Sequence, residues 1–407
     1  MISAAGLDLE ENFRNFNLKK NGIRKISRFE ITPKMRTNFA GLAPEIPINR
    51  IPPEIAARMN EEDLRQDFIK AAVSVTAEAI LDAGVAAKIS EQPRRTGMFL
   101  ASSIGNLLFL EEGYKEYFKS GLYKISQLIH GMNSYLPSKL ADLFGIKGPC
   151  IFVSSACTSS LNAILQADAF IKSGVIDRAI VCSVDICLEP GIFLLWNRIR
   201  VLSRRTTDPS TACRPYCKTC DGIVLAEAAG CFILERESDS AKAYARICGF
   251  GMSNGSHDFL MPSRVDLARA VGEALQTACF RPDQIDFIAG SASGSPHFDH
   301  IETQAIRDVF GDAADGVPLF AFKSFLGTTF GTQAVTEGAL ALRIFRENRL
   351  PEVQNVFEHD DRVQANAYYR EEDYLGRPMN SLLFINSGFS GNQMAVVYDR
   401  PALRGNT

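Results

Sequence analysis

IFVSSACTSSLNAILQADAFIKSG, residues 151–174, is the stretch on which the fold turns. An apolar run from Ile151 to Val153 passes through small residues to Cys157. A segment with apolar residues three and four apart then follows at once, from Leu161 to Ile171. The first pattern predicts a buried strand and the second an amphipathic helix. Strand, turn and helix in that order place Cys157 near a helix N-terminus, where unpaired backbone N–H groups and the dipole favour a thiolate and hold a developing oxyanion. From local pattern alone, a cysteine so placed is either a small buried hydrophobe or a nucleophile.

Outward from this unit the same alternation recurs. RTGMFLAS (95–102), RAIVCSV (178–184), GCFILE (230–235), ARICGFG (245–251), IDFIAGSA (285–292), PLFAFKS (318–324), SLLFINS (381–387) and MAVVYD (394–399) hardly alternate in polarity. They predict strands covered on both faces. Helical periodicity runs from Leu64 to Ala83, Leu267 to Cys279 and Val335 to Ile344. The fold class is therefore α/β, layered. No Gly/Ser/Pro-rich linker divides the 407 residues; the polar ERESDSAK (235–242) reads as a surface connection between halves 1–235 and 236–407. No short-period repeat is visible.

A net charge of −3 gives no general pull toward nucleic acid or an anionic membrane. The most apolar region, Ala179 to Trp196, is interrupted by Asp185, Glu189 and Pro190, so no membrane span is expected. Ten cysteines are too dilute for a disulfide scaffold, and Cys182, Cys187, Cys231 and Cys248 sit in apolar runs that suit buried thiols. With no basic, apolar leader in MISAAGLDLEENF, these features point to a cytoplasmic protein.

The lead-in KGPCIFVSSACTSS (147–160) resembles the nucleophile turn of the ketoacyl synthases, which elongate acyl chains on acyl carrier protein. ASSIG (101–105), KIS (124–126) and LADLFGIKGP (140–149) follow the family's order upstream. Downstream, Arg214, Pro215, Tyr216, Asp221, Gly222 and Glu227 match its long signature, and NSGFSGNQ (386–393) resembles its glycine-rich turn, one residue short. Similarity extends from about Asn12 to Tyr398. The resemblance implies a thiolase-like five-layered α/β/α/β/α sandwich of two duplicated halves, acting as a homodimer or as a heterodimer with a ketosynthase homologue. It also implies no cofactor of the chain's own, the phosphopantetheine arm being carried by an acyl carrier protein partner. Cys157 takes the place of the acyl-accepting nucleophile. Phe389 takes that of a gating residue whose N–H joins that of Cys157 in the oxyanion hole.

The resemblance breaks at the two family histidines that stabilise the malonyl-derived enolate. Ser291 stands where the first is expected, with Ser293 and Ser295 at the neighbouring threonine positions, while Asp299 and Glu302 fit. Thr328 stands at the second, although Lys323, Ser324, Gly327, Gly331 and Glu337 remain. A hydroxyl donates one neutral hydrogen bond but cannot supply a protonatable imidazole, and each oxyanion donor lost costs on the order of 10²–10³ in rate. The implied role is a partner subunit like the chain-length factors, with retention of Cys157 favouring an alternative, acyl transfer or atypical 3-oxoacyl synthesis through that thiol. Lys323 with Glu302 reads plainly as an ordinary ion pair, and the resemblance implies instead that the two support the site through an internal charge network. His297 and His300 lie near enough in sequence to reach toward the gap, though the family loop directs these positions elsewhere.

Several motifs admit plainer readings. Cys217 and Cys220 form a CxxC without the second half of a zinc site, and read as structural thiols. HFDH (297–300) reads as a loop pair rather than a metal site. The basic stretch Arg198 to Arg205 reads as a solvated face that can attract an acidic carrier, and without interleaved aromatics it does not suit nucleic acid. The start, ISAAG (2–6), resembles the end of the family's opening strand–turn, which implies either a truncated start or a remodelled sheet edge.

Overall fold

The computed structural model describes residues 1–205, 207–237, 243–255, 260–374 and 376–401. The first sheet contains β1 (Ile2–Ser3), β2 (Thr96–Ala101), β3 (Cys150–Val153), β4 (Arg178–Asp185) and β5 (Ala228–Glu235). The second contains β6 (Arg246–Asn254), β7 (Phe287–Gly290), β8 (Leu319–Ala321), β9 (Ser381–Ser387) and β10 (Asn392–Asp399). Spatial order is β1-β5-β4-β2-β3 in one and β6-β10-β9-β7-β8 in the other, so each strand has a counterpart five places on. Pairing matches as well: β2 is parallel to β3 and β4, and β5 runs antiparallel to β4 and β1, as β7 is to β8 and β9 and β10 to β9 and β6.

Apolar faces are buried on both sides because helices form three further layers. Helices α1 (Asp67–Ala83) and α2 (Tyr135–Leu143) cover the outside of the first sheet. Between the sheets lies α3 (Ser159–Lys172), followed in chain order by α4 (Pro190–Ile199), which flanks the site. Helix α5 (Arg264–Ala278) covers the outside of the second sheet with α6 (Pro296–Phe310) against it, and α7 (Gln333–Glu347) joins α3 in the middle layer. The result is the α/β/α/β/α sandwich. Both central helices are rich in small residues: Ala163 and Ala167 of α3, and Ala334, Gly338 and Ala341 of α7, are buried and let the layers approach.

Part of the expected surface connection, residues 238–242, lies outside the described residues, as does His257. At the sheet edge, ISAAG supplies β1, with Ile2 opposite Ala229 and Ser3 opposite Ala228. No helix among the described residues is long and apolar enough to cross a membrane.

Candidate active site

Strand β3 ends at Val153, and the chain reverses into α3 through Ala156 at φ +53°. A left-handed alanine costs roughly 1–3 kcal/mol, which the surrounding structure must offset. The turn is pinned by the Ser159 hydroxyl, which donates to Ala156 O at 2.6 Å and accepts from Ser155 N at 2.9 Å. Cys157 follows, 6% exposed. Gly388 packs its backbone on the nucleophile turn, where a Cβ would lie 3.3 Å from Thr158 Cγ2 and 3.5 Å from Cys157 Cβ.

The thiol departs from the sequence expectation. Burial pushes Cys157 up to about 11, against the backbone N–H of Phe389, the charge of Lys323 and its own N–H, all of which favour the thiolate. The helix-terminus argument identified the favourable contributions and missed the desolvation that outweighs them. The backbone N–H groups of Phe389 and Cys157 act on the sulfur in favour of its charged form.

Cys157, Ser291, Lys323, Thr328, Glu302 and Phe389 line one cavity of about 40 Å³, room for a few waters. Ser291 leaves the end of β7, its hydroxyl accepting from Ser387 N at 3.2 Å and from Lys323 Nζ at 3.4 Å. Thr328 is held by its backbone, which accepts from Ala226 N at 2.9 Å and donates to Val224 O at 2.7 Å. Its buried hydroxyl has no hydrogen-bond partner among the described residues.

The plain ion pair between Lys323 and Glu302 is not formed. Lys323 Nζ bridges to Glu337 Oε1 at 3.1 Å and donates to Ser291 O at 2.9 Å, rather than pairing with Glu302. Glu302 is occupied elsewhere: it accepts the backbone N–H of Ser291, that of Ala292 at 3.0 Å and the Tyr216 hydroxyl at 2.7 Å. Burial raises its pKa, with the Lys323 charge acting in the opposite direction at longer range. Asp299 likewise clamps the loop by accepting from Ser293 N, Gly294 N and Tyr216 N at 2.9–3.1 Å, and burial pushes it up to about 7.

No described histidine lines the cavity. His297 is exposed on α6, and His300 Nε2 meets Asp360 at 2.9 Å. His130 lies against Glu62 and Asp63, and His359 stacks on Tyr368 at 4.0 Å. Cys217 lies 3.3 Å from Thr219 Oγ1.

Two family models match this chain: the beta-ketoacyl synthase N-terminal domain over residues 1–240 and its C-terminal domain over 244–357. The chain belongs to the beta-ketoacyl synthase family. A putative polyketide beta-ketoacyl synthase 1 of Streptomyces virginiae is 27% identical, covering 98% of this chain and 95% of the relative. A 3-oxoacyl-[acyl-carrier-protein] synthase 2 of Coxiella burnetii is 25% identical, at 98% and 96% coverage. Among solved structures, a type II polyketide ketosynthase in complex with its acyl-carrier protein superposes with a TM-score of 0.86 at 21% identity, covering 98% of this chain and 96% of that one. The ishigamide ketosynthase/chain length factor gives 0.82 at 21%, with 98% and 97% covered. These likenesses carry the ketosynthase fold.

Within this ketosynthase-family site, sequence reasoning missed three contributors. Asp185, noted only as a charge interrupting an apolar run, ends β4 and accepts from Ser102 Oγ, Ser103 N, Ile104 N and Gly331 N at 2.6–3.2 Å. It ties the loop after Thr328 to the first sheet, and burial pushes it up to about 6. A polar residue closing a fully buried strand was the available signal. Trp196 and Phe298 had none: their rings meet Phe389 from α4 and α6 at centroid distances of 5.2 and 5.6 Å.

Proposed function

We propose that this chain is a partner subunit of a heterodimeric ketosynthase, acting on acyl-carrier-bound chains in fatty acid or polyketide synthesis and, like a chain-length factor, shaping the site without performing decarboxylative condensation itself. The observation that carries this reading is a cavity around Cys157 lined by Ser291 and Thr328 and by no described histidine. An enolate formed there meets neutral hydroxyls and the Lys323 ammonium, already engaged by Glu337 and Ser291 O. That arrangement lacks the preorganised, strong donors that such a charge requires. Intact packing around the gap, including Asp299, Glu302 and Asp185, fits selection for a scaffold.

In this reading, residues 1–235 and 236–407 are the two duplicated units, acyl carrier protein supplies the phosphopantetheine arm, and the work takes place in the cytoplasm. Named relatives include a polyketide ketoacyl synthase alpha subunit and a ketosynthase/chain length factor, which supports looking for a second, histidine-bearing subunit. The test is co-expression with such a homologue. A stable one-to-one complex, active only when both chains are present, is expected; a homodimer that ignores the homologue contradicts the proposal.

A second reading has a specific observation behind it, the N–H groups of Phe389 and Cys157 acting on the sulfur in favour of its charged form. An acyl-accepting Cys157 that hands its chain to a nucleophile needs those donors and no imidazole. Incubation with acyl-carrier protein thioesters and intact-mass analysis separates the two: a stable adduct lost in Cys157→Ala supports acyl transfer.

A further inference from the structure

We propose that Gln333 sets the acyl-chain specificity of the cavity: its side-chain amide, together with the Thr328 hydroxyl, selects an uncharged chain carrying a carbonyl or hydroxyl oxygen beyond its thioester over a saturated chain. This specificity rests on the reading that the cavity receives acyl-carrier-bound chains.

Gln333 opens α7 and lines the cavity with Cys157, while being only 2% exposed. The start of that helix is held against the helix that follows the nucleophile, where Ala334 N donates to Ser160 Oγ at 3.0 Å. Asn386, buried near the end of β9, donates its Nδ2 to Gln333 Oε1 at 2.7 Å. With its oxygen so occupied, the amide is left with Nε2, which donates to no described residue. A second polar group shares this condition: Thr328, 5% exposed, lines the cavity with a hydroxyl that has no partner among the described residues. Such donors lose their hydrogen bonds when an apolar group displaces water from them, and keep them when an acceptor takes the water's place.

The surroundings fix the chemistry of that acceptor. The carbonyl of a thioester lies next to sulfur, where the backbone N–H groups of Phe389 and Cys157 act. Gln333 and Thr328 are then left for a second oxygen. A carboxylate fits poorly, because Lys323 is already paired with Glu337 and Glu302 adds another carboxyl to the lining. A ketone or hydroxyl oxygen meets both donors without bringing a charge into a buried site. At about 40 Å³ the cavity is tight, so a chain that fills it comes up against this lining.

The test uses two acyl-pantetheine amides, butanoyl and 3-oxobutanoyl, in which nitrogen replaces the thioester sulfur so that Cys157 is not acylated. Isothermal titration of the full chain is expected to show tighter binding of the 3-oxo probe, by roughly 2- to 12-fold per hydrogen bond gained. Gln333→Leu, which keeps the bulk, is expected to bring that ratio toward one while retaining affinity for the butanoyl probe. Gln333→Glu, which keeps an oxygen for Asn386 but presents no amide N–H, is expected to reduce the ratio as well, and covers the case in which the leucine variant fails to fold. Equal loss of affinity for both probes marks a merely structural role and overturns the proposal, as does a preference that survives both substitutions. Equal binding of the two probes by the wild-type chain overturns the proposal alone. Binding of neither overturns the acyl-chain reading and the proposal with it.

Discussion

Raising the pH across the alkaline range ionises the Cys157 sulfur. Burial holds this thiol at about 11, well above the ordinary value of 9.0. At pH 7.5 its thiolate fraction is then about a hundredfold below that of an unperturbed thiol. Thiolate nucleophilicity rises with basicity by about tenfold over two units, so the net expectation is about tenfold slower alkylation. The measurement is Cys157-specific iodoacetamide labelling between pH 7 and 11.5, with exposed Cys279 as the comparison in each sample. The rate is expected to climb tenfold per unit and to bend only near 11. Stability follows in the same window: burial penalises the thiolate, so the fold is unaffected by this group below pH 9 and loses on the order of 3 kcal/mol as the pH rises from 9 through 11. A labelling plateau below pH 8 refutes the reasoning. It means that the Phe389 N–H and Lys323 outweigh desolvation, and an activated nucleophile then favours acyl transfer.

Two further outcomes are expected. Lys323→Met leaves Glu337, 1% exposed, without its cation, and should cost about 3–5 kcal/mol by denaturant unfolding, with much of the loss recovered in Lys323→Met/Glu337→Gln. A loss below 1 kcal/mol in the single variant counts against the buried pair. Thr328→Val removes a buried hydroxyl without a partner and should leave stability within about 1 kcal/mol of wild type or raise it. A loss above 2 kcal/mol shows that the hydroxyl is engaged.

The strands were legible because runs such as RAIVCSV and SLLFINS are covered on both faces, and composition alone then identifies them. Their five-by-five correspondence was not, since parallel and antiparallel pairing leave no mark on a single strand. The turn at Cys157 could be read locally. Its thiol could not, because what buries it includes Gly388 and Phe389 from the far end of the chain. Lys323 had two glutamates to choose from in sequence, Glu302 and Glu337, and the choice is settled by backbone N–H groups at Ser291 and Ala292 that occupy Glu302. Aromatic contacts among Trp196, Phe298 and Phe389 join three segments that no periodicity connects.

The most direct test of the account supplies the purified chain alone with acyl- and malonyl-carrier protein at neutral pH and follows CO₂ release and ketoacyl product. With Ser291 and Thr328 facing Cys157, no product above the level of a Cys157→Ala control is expected, and adding a histidine-bearing homologue should restore turnover. Ketoacyl formation by this chain alone at the speed of an ordinary synthase contradicts it.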